Sequence, residues 1–276
     1  MRKNIYELIA EEKCDPFEEI ARIEVLFEKE PVHTAKSLKA YINREFFRAL
    51  PIRGTSLNID DLKERLGILK DASIDSLLMY CELIYNILYQ AINAIRSDHE
   101  ESVIKQSATV LNNMDCILEQ LNHETTELEN KKIIVVEKSK QAALAASLID
   151  DPEKALKIIE YNHVGLKGNL LGKQTILKQI ADILEPKYPI LRKGGYGTLE
   201  SDSRFLANNF HIRHNNKEGK YKNEYIAFIT DTALEDWYDK AYESFLMAVI
   251  AIKQISISSE IEQIKQSING NKESDK

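Results

Sequence analysis

The chain has 276 residues, of which 43% are hydrophobic, and this is enough to bury the core of one large domain or two small ones. Its net charge of −7 excludes a broad basic surface for nucleic acid and leaves only a local basic patch for that role. The three cysteines lack CxxC and Cys/His spacings, and no acidic cluster has divalent-metal spacing, so we expect no disulfide framework, metal or cofactor.

The N-terminal segment and the hydropathy pattern predict a cytoplasmic protein. Residues 1–13 lack the basic, then apolar, then small-residue layout of a signal peptide. The longest apolar run, Phe245–Ile252, is far shorter than the roughly 20 residues that a bilayer requires. We therefore expect a cytoplasmic location and no membrane contact.

The fold class follows from the scarcity of residues that break helices. The chain contains only ten glycines and six prolines, and long stretches contain neither. We predict an all-α fold, a multi-helix bundle with at most one short strand.

The first half, residues 1–130, carries helical patterns. Asp15 followed by Pro16 has the form of a helix start, with a proline in the first turn. Three more predictions follow along the chain: a helix from about Thr34 to Leu50, a short helix capped by Asn58 or Asp60, and an antiparallel helical hairpin over residues 73–130 that turns near Asp98. We expect a helical N-terminal domain of unknown role that binds a protein partner.

The run KKIIVVEKS, residues 131–139, is the only strongly β-like segment of the sequence. No second strand is evident nearby to pair with it, so a short strand, a linker and a helix start all stay open. We place the domain boundary here, with a second helical domain over residues 131–268 and a disordered tail over residues 269–276.

The second half again predicts helices. They are a short helix through Leu148, one capped by Asp151 that runs to about Asn162, one from Leu170 to Leu184, one capped by Thr198 that covers Ser201–Arg213, and a long last helix opened by a capping box at Thr232 and Glu235.

The stretch NNFHIRHNN, residues 208–216, packs four asparagines, two histidines and an arginine into nine positions. On a helix it divides into two faces, one with Arg204, Asn208 and His211, the other with Asn209 and Arg213. Several basic residues and the tyrosines Tyr188, Tyr196 and Tyr221 surround it in the sequence, a mixture suited to holding phosphates and stacking bases.

These residue types can support cleavage of RNA without a metal. His211 or His214 would move the protons between the 2′-hydroxyl and the leaving oxygen, and Arg213 would hold the charge on the phosphate. The residues expected to bind or orient the substrate are Asn209, Asn215, Asn216 and Arg204.

A second polar concentration, Asn162 and His163, ends another predicted helix. Helix ends in a bundle can meet, so these two residues either complete the substrate site or cap their own helix and its glycine turn.

Residues 151–266 resemble the HEPN superfamily of helical modules, in particular those of bacterial abortive-infection and toxin proteins. The resemblance rests on Arg213 followed by the polar His214, on the six residues between Arg204 and His211, and on the polar loop and long helix that follow. It implies a small helical bundle, often a dimer with two Arg-x4–6-His motifs face to face. It also implies either a metal-independent ribonuclease or a module that only binds RNA, and a role as a toxin or antiviral effector.

An alternative from another functional class is a non-catalytic interaction or dimerisation module. In that interpretation the same residues form a buried polar network or an interface.

Overall fold

The structure is a computed structural model that describes residues 15–29, 32, 36–68, 73–94, 101–128 and 130–273. Within these residues the chain is mostly helical and contains one two-stranded antiparallel sheet. Contacts divide the chain into two compact units, Met1–Lys138 and Ser139–Lys276. The mostly helical prediction is confirmed, whereas the limit of one short strand was wrong.

The elements of the first unit are α1 (Pro16–Glu24), α2 (Leu38–Glu45), α3 (Ile59–Leu66), α4 (Ile74–Ala94), α5 (Glu101–Gln120), β1 (His123–Glu127) and β2 (Ile133–Glu137). The Asp15 side chain accepts a hydrogen bond from the Phe17 N–H at the start of α1. Asn58 caps α3 in the same way. The predicted helix start at Asp15 and the predicted cap at Asn58 are confirmed. α4 contacts α5, while the predicted turn at Asp98 lies outside the described residues.

The second helix is shorter than predicted. It begins after Ser37, whose hydroxyl accepts from the Ala40 N–H, and it ends at Glu45. Two 3-10 turns, Phe47–Ala49 and Pro51–Arg53, follow it. The predicted start at Thr34 lies outside the described residues.

The strand β2 has the partner that the sequence analysis did not find. β1 pairs with it in antiparallel register, with His123 opposite Glu137 and Glu127 opposite Ile133. The sequence of β1, HETTE, has no alternation of apolar and polar residues, so hydrophobic periodicity does not predict it as a strand. The β-branched Thr125 and Thr126 were the available signal.

Side chains of α4 satisfy the other edge of β2. The buried Asn86 amide donates to the Ile133 carbonyl over 2.6 Å and accepts from the Ile133 N–H over 2.9 Å. The Val135 N–H donates to the Glu82 carboxylate over 2.7 Å. Because an isolated two-stranded hairpin is marginal in water, these contacts and the packing on α4 hold it in the first unit. The division of the chain therefore falls after β2, not between residues 130 and 131.

The elements of the second unit are α6 (Lys140–Ser147), α7 (Pro152–Glu160), α8 (Leu170–Leu184), α9 (Tyr188–Lys193), α10 (Gly197–Asn209), α11 (Glu224–Ala227) and α12 (Asp231–Glu273). Asp151 caps α7 by accepting from the Lys154 N–H, as predicted. Thr198 does not cap α10, because the helix already begins at Gly197 after a turn in which Gly195 has a φ of 91°.

The start of α12 differs from the predicted capping box at Thr232. The hydroxyl of Thr230 accepts from the Ala233 N–H instead. The carboxylate of Glu235, which the box would direct back to the helix start, binds Lys173 and the Gly168 N–H. A tertiary ion pair has replaced the local cap.

The core of the second unit lies along the N-terminal half of α12, which contacts α6, α8, α9 and α10. The buried residues that α12 contributes are Leu234, Tyr238, Ala241, Tyr242, Phe245, Leu246, Ala248, Val249 and Ala251.

The C-terminal part of α12 is exposed from Ser256 to Ile268. By length and composition alone, Asp231–Ile268 is apolar enough to cross a membrane, a test that core helices of soluble proteins also pass. The helix reaches Glu273, so it includes the first five residues of the predicted disordered tail, and residues 274–276 lie outside the described residues.

We expect Asn86→Ala to lower the free energy of unfolding by about 1–3 kcal/mol, because it leaves the N–H and C=O of Ile133 without their partners in a buried position. Urea denaturation followed by circular dichroism measures this. The control is Asn113→Ala, an exposed asparagine on α5, which should change stability by less than about 0.5 kcal/mol. Equal effects of the two substitutions would show that the edge contact does not hold the hairpin.

Candidate functional site

The helix that carries the polar stretch ends earlier than predicted. α10 stops at Asn209, and His211 adopts the left-handed backbone conformation with a φ of 58°. The Arg213 N–H then bonds back to the Ala207 carbonyl over 3.0 Å. The predicted helix over Ser201–Arg213 is therefore wrong in its last turn, and the two predicted faces do not extend beyond Asn209.

His211 and Asn216 close the loop after α10 upon itself. The His211 N–H donates to the Asn216 side-chain oxygen over 2.8 Å, and the Asn216 N–H donates to His211 Nδ1 over 3.2 Å. The Asn216 amide also donates to the Tyr221 carbonyl over 3.0 Å. Asn216 is only 3% exposed, so its polar groups are used inside the loop and do not face a substrate.

The His211 imidazole is held in its neutral form. Its Nδ1 accepts a backbone N–H, which assigns the ring proton to Nε2. Burial lowers its pKa, and the nearby Lys217 ammonium lowers it further. The lowered pKa favours the neutral ring, and one of its two nitrogens is already occupied.

Arg213 is paired with acidic side chains of the segment that ends α8. Its guanidinium bonds Glu185 and lies 3.3 Å from Asp182, and its side chain is 19% exposed. The hydrogen bond with Glu185 raises the pKa of Arg213 and lowers that of Glu185. To hold a phosphate, the guanidinium would have to leave two carboxylates.

The other polar residues of the stretch have local partners. The His214 ring stacks on Tyr221, with centroids 4.4 Å apart. Asn215 accepts from two backbone N–H groups of the following turn, and Asn209 donates to the Phe205 carbonyl over 3.0 Å.

Arg204 lies in an open depression of about 530 Å³ beside α10. The buried carboxylate of Glu200 pairs with two arginines beside this depression. It bonds Arg192 at 2.8 Å and lies 3.7 Å from Arg204. Asn208 and Asn209 line the same depression. Of the predicted site residues, the structure brings Arg204 and Asn209 together here, and His211 with Asn216 in the loop.

Asn162 belongs to a different cluster, at the end of α7. Its amide donates to the Tyr242 hydroxyl over 3.0 Å, and the Tyr242 ring stacks on Tyr161 at 4.0 Å. His163 caps the next 3-10 turn by accepting from the Gly165 N–H. The His163 contact agrees with the capping alternative, whereas the Asn162 side chain bonds α12 and does not cap its own helix.

The centre of that cluster is Lys173, which is buried. Its ammonium lies 2.8 Å from Glu235 and 2.7 Å from Asp239. The Tyr161 hydroxyl donates to the same Asp239 over 2.8 Å. The burial of Lys173 was not predicted, because nothing in the neighbouring sequence indicates that this lysine is buried.

The sequence analysis also missed a group of exposed aromatic side chains that lie around the polar loop. Phe228 is 79% exposed and Tyr225 58% exposed, and Phe205 and Tyr221 are exposed as well. The buried Phe210 ring contacts Phe205 and Tyr225 and links these two, while Tyr221 and Phe228 lie nearby along the chain. We call Phe205, Tyr221, Tyr225 and Phe228 the aromatic surface.

Lysines accompany the aromatic surface. The Lys220 ammonium lies 5.3 Å from the Tyr221 ring centroid, and the Lys222 ammonium lies 6.0 Å from that of Phe228. The signal in the sequence was the alternation of lysines and aromatics over residues 217–228, of which only Tyr221 and the lysines had been noted.

No group of three or more potential metal ligands occurs among the described residues. Comparison with protein-family models, with curated proteins and with solved structures finds no match. The resemblance to the HEPN superfamily stays a hypothesis.

We expect Asn216→Ala to loosen the loop, because it removes the two hydrogen bonds that the buried Asn216 side chain makes with the His211 N–H and the Tyr221 carbonyl. Hydrogen exchange of residues 211–223, followed by mass spectrometry, should be faster, corresponding to about 1–3 kcal/mol of local stability. The exposed Asn215 gives the matched control, since Asn215→Ala loses only two contacts with the turn that follows it. Unchanged exchange in Asn216→Ala would show that the Asn216 side chain does not stabilise the loop.

Proposed function

We propose that the second unit binds single-stranded RNA, with the aromatic surface stacking bases and the neighbouring basic residues contacting phosphates. The observation that supports this most directly is the exposure of four aromatic side chains beside lysines on one loop and its flanking helices. The proposal keeps the binding branch of the HEPN resemblance.

Stacking on exposed aromatic rings is how proteins hold single-stranded nucleic acid with little sequence preference. Each stacked base contributes about 1–3 kcal/mol, and any base offers a π-face. Phe228 and Tyr225 present their rings to solvent, whereas aromatic side chains that only stabilise a core are buried. The exposure of these rings, together with the neighbouring lysines, supports a role in binding a ligand.

The local charge supports contact with phosphates. Residues 204–222 contain five lysines and arginines and one acidic residue, in a chain whose net charge is −7. Arg204 is more than half exposed, and Lys220 and Lys222 are exposed. Arg213 contributes less, because Glu185 and Asp182 already balance its charge.

The contacts of the candidate catalytic residues favour binding over cleavage. A general base needs a free ring nitrogen near the reacting hydroxyl, and Nδ1 of His211 is occupied by a loop N–H. Glu185 and Asp182 already offset the charge of the Arg213 guanidinium, which weakens its attraction for a phosphate. His214, stacked on Tyr221, is placed to add a ring to the aromatic surface.

We expect Phe228→Ala and Lys220→Glu each to weaken the binding of a fluorescent oligouridine of about 12 nucleotides, the first by about 1–3 kcal/mol and the second with a smaller salt dependence of the affinity. Fluorescence anisotropy at several salt concentrations measures both. The matched controls are Leu144→Ala and Lys140→Glu, an exposed apolar and an exposed basic residue of α6. Binding that is absent, or equally weakened by the controls, would rule out the aromatic surface as an RNA site.

Cleavage of RNA is tested with Arg213→Ala. Because Arg213 and His211 are engaged within the protein, we expect RNA to stay intact with the wild-type chain, with and without a metal chelator. Shortened RNA in the presence of chelator, lost in a folded Arg213→Ala variant, would establish the cleaving branch instead. Growth arrest on expression of wild type against Arg213→Ala tests the implied role as a toxin or antiviral effector in the same way.

A cytoplasmic location and a protein partner for the N-terminal half stay predictions. The alternative of a non-catalytic interaction module is favoured by one specific observation, the exposed apolar residues at the end of α12.

A further inference from the structure

Among the described residues, no element covers the C-terminal part of α12. Ile255 still packs onto the second unit, lying so close to Gly194 that a Cβ there would come within 2.3 Å of its Cδ1. From Ser256 to Ile268 every residue is exposed. Thirteen helical residues without tertiary packing are marginal in water, because most helical stability in proteins comes from an apolar face packed on a partner.

The exposed part of the helix nevertheless carries an apolar face. Ile257, Ile261, Ile264 and Ile268 follow one another at steps of four, three and four residues, and Ile264 is 59% exposed. This is the spacing of the a and d positions of a coiled-coil heptad, with Ile261 and Ile268 at a and Ile257 and Ile264 at d. The positions between them are serine, glutamine, glutamate and lysine.

The charges that flank the isoleucines are complementary between parallel copies of this helix. Glu260 falls at a g position and Lys265 at the following e position. In a parallel coiled coil, the g residue of one strand faces the next e residue of its neighbour, so Glu260 and Lys265 would pair across the interface. Within one chain Lys265 bonds Glu262, at 2.6 Å on the exposed surface, a contact that leaves it within reach of a neighbour.

We propose that the C-terminal part of α12 joins copies of this chain in a parallel coiled coil, a self-association that goes beyond the proposed RNA binding. The isoleucines would supply the buried seam and Glu260 with Lys265 the orientation. Isoleucine at both a and d favours three strands over two, so we expect a trimer. This differs from the face-to-face dimer that the HEPN resemblance implies.

A lipid surface fits the same helix less well. Residues 252–268 contain two lysines and two glutamates and therefore carry no net charge, whereas helices that lie on membranes are rich in lysine and arginine on their polar face. The apolar face is also one residue wide, as in a coiled-coil seam. These features favour copies of the same chain over a lipid surface as the partner of this helix.

The full-length protein and two double variants test the proposal by light scattering coupled to size exclusion, over a hundredfold range of concentration. The chain mass is 31.7 kDa, and we expect three times this value for the wild type. Ile261→Lys with Ile264→Lys places charges in the seam and should give a single chain at all concentrations. Ser259→Lys with Gln266→Lys adds the same charges at two f positions, opposite the seam, and should keep the wild-type mass.

A multiple of the chain mass that is lost only in the isoleucine variant supports the coiled coil. A wild type that is a single chain throughout, or one whose association survives Ile261→Lys with Ile264→Lys, would overturn it. Circular dichroism shows whether each variant keeps the fold of the bundle. Binding of a single-chain wild type to anionic phospholipid vesicles would likewise overturn it in favour of a lipid surface.

The orientation is tested by exchanging the flanking charges. Glu260→Lys alone sets lysine against lysine across each interface and should raise the dissociation constant about fivefold. Glu260→Lys combined with Lys265→Glu restores opposite charges and should recover most of the loss. A double variant weaker than Glu260→Lys alone would contradict the parallel arrangement. This result is separate from RNA binding, which involves other residues.

Discussion

The second unit is built around the ammonium group of Lys173, which is buried between the carboxylates of Glu235 and Asp239. Because a buried charge without partners costs several kcal/mol, these pairs restrict how α8 can lie against α12. Residues next to these ion pairs are positioned by the same helix packing. Gln174 donates to the carbonyl of His211, and the Tyr238 hydroxyl lies 3.5 Å from the same carbonyl, so the packing of the two helices also positions the polar loop.

This arrangement changes what the polar residues of the loop can do. Histidine, arginine and asparagine close together in a sequence suggest acid–base chemistry, yet here the hydrogen bonds between His211 and Asn216 stabilise the loop. Arg213 is turned toward the acidic end of α8. With its polar groups satisfied internally, the loop is a stable support for side chains that face outward, and these are aromatic or basic. Rigid presentation lowers the entropy lost when a ligand binds.

The two proposed surfaces use different parts of one long helix and its neighbours. The first half of α12 is a core element and helps to position the aromatic surface through Trp237, which lies against Phe210. The second half has left the bundle and carries a narrow row of isoleucines. Copies joined through the second half would carry several aromatic surfaces on one assembly. Linked sites raise the effective concentration of each for a long ligand such as RNA.

Local signals in the sequence determined the features that depend on a few neighbouring residues: the mostly helical class, and the caps at Asp15, Asn58 and Asp151. Local signals did not predict the features that depend on a residue distant in the chain. The strand β1 is stabilised by pairing with β2, Glu235 by Lys173, and the early end of α10 by contacts of His211 with Asn216 and α8. For the stretch that the sequence marks as a candidate site, the tertiary structure alone decided which side chains face the solvent. Burial and charge pairing depend on residues far apart in sequence, so the periodicity within one helix cannot predict them.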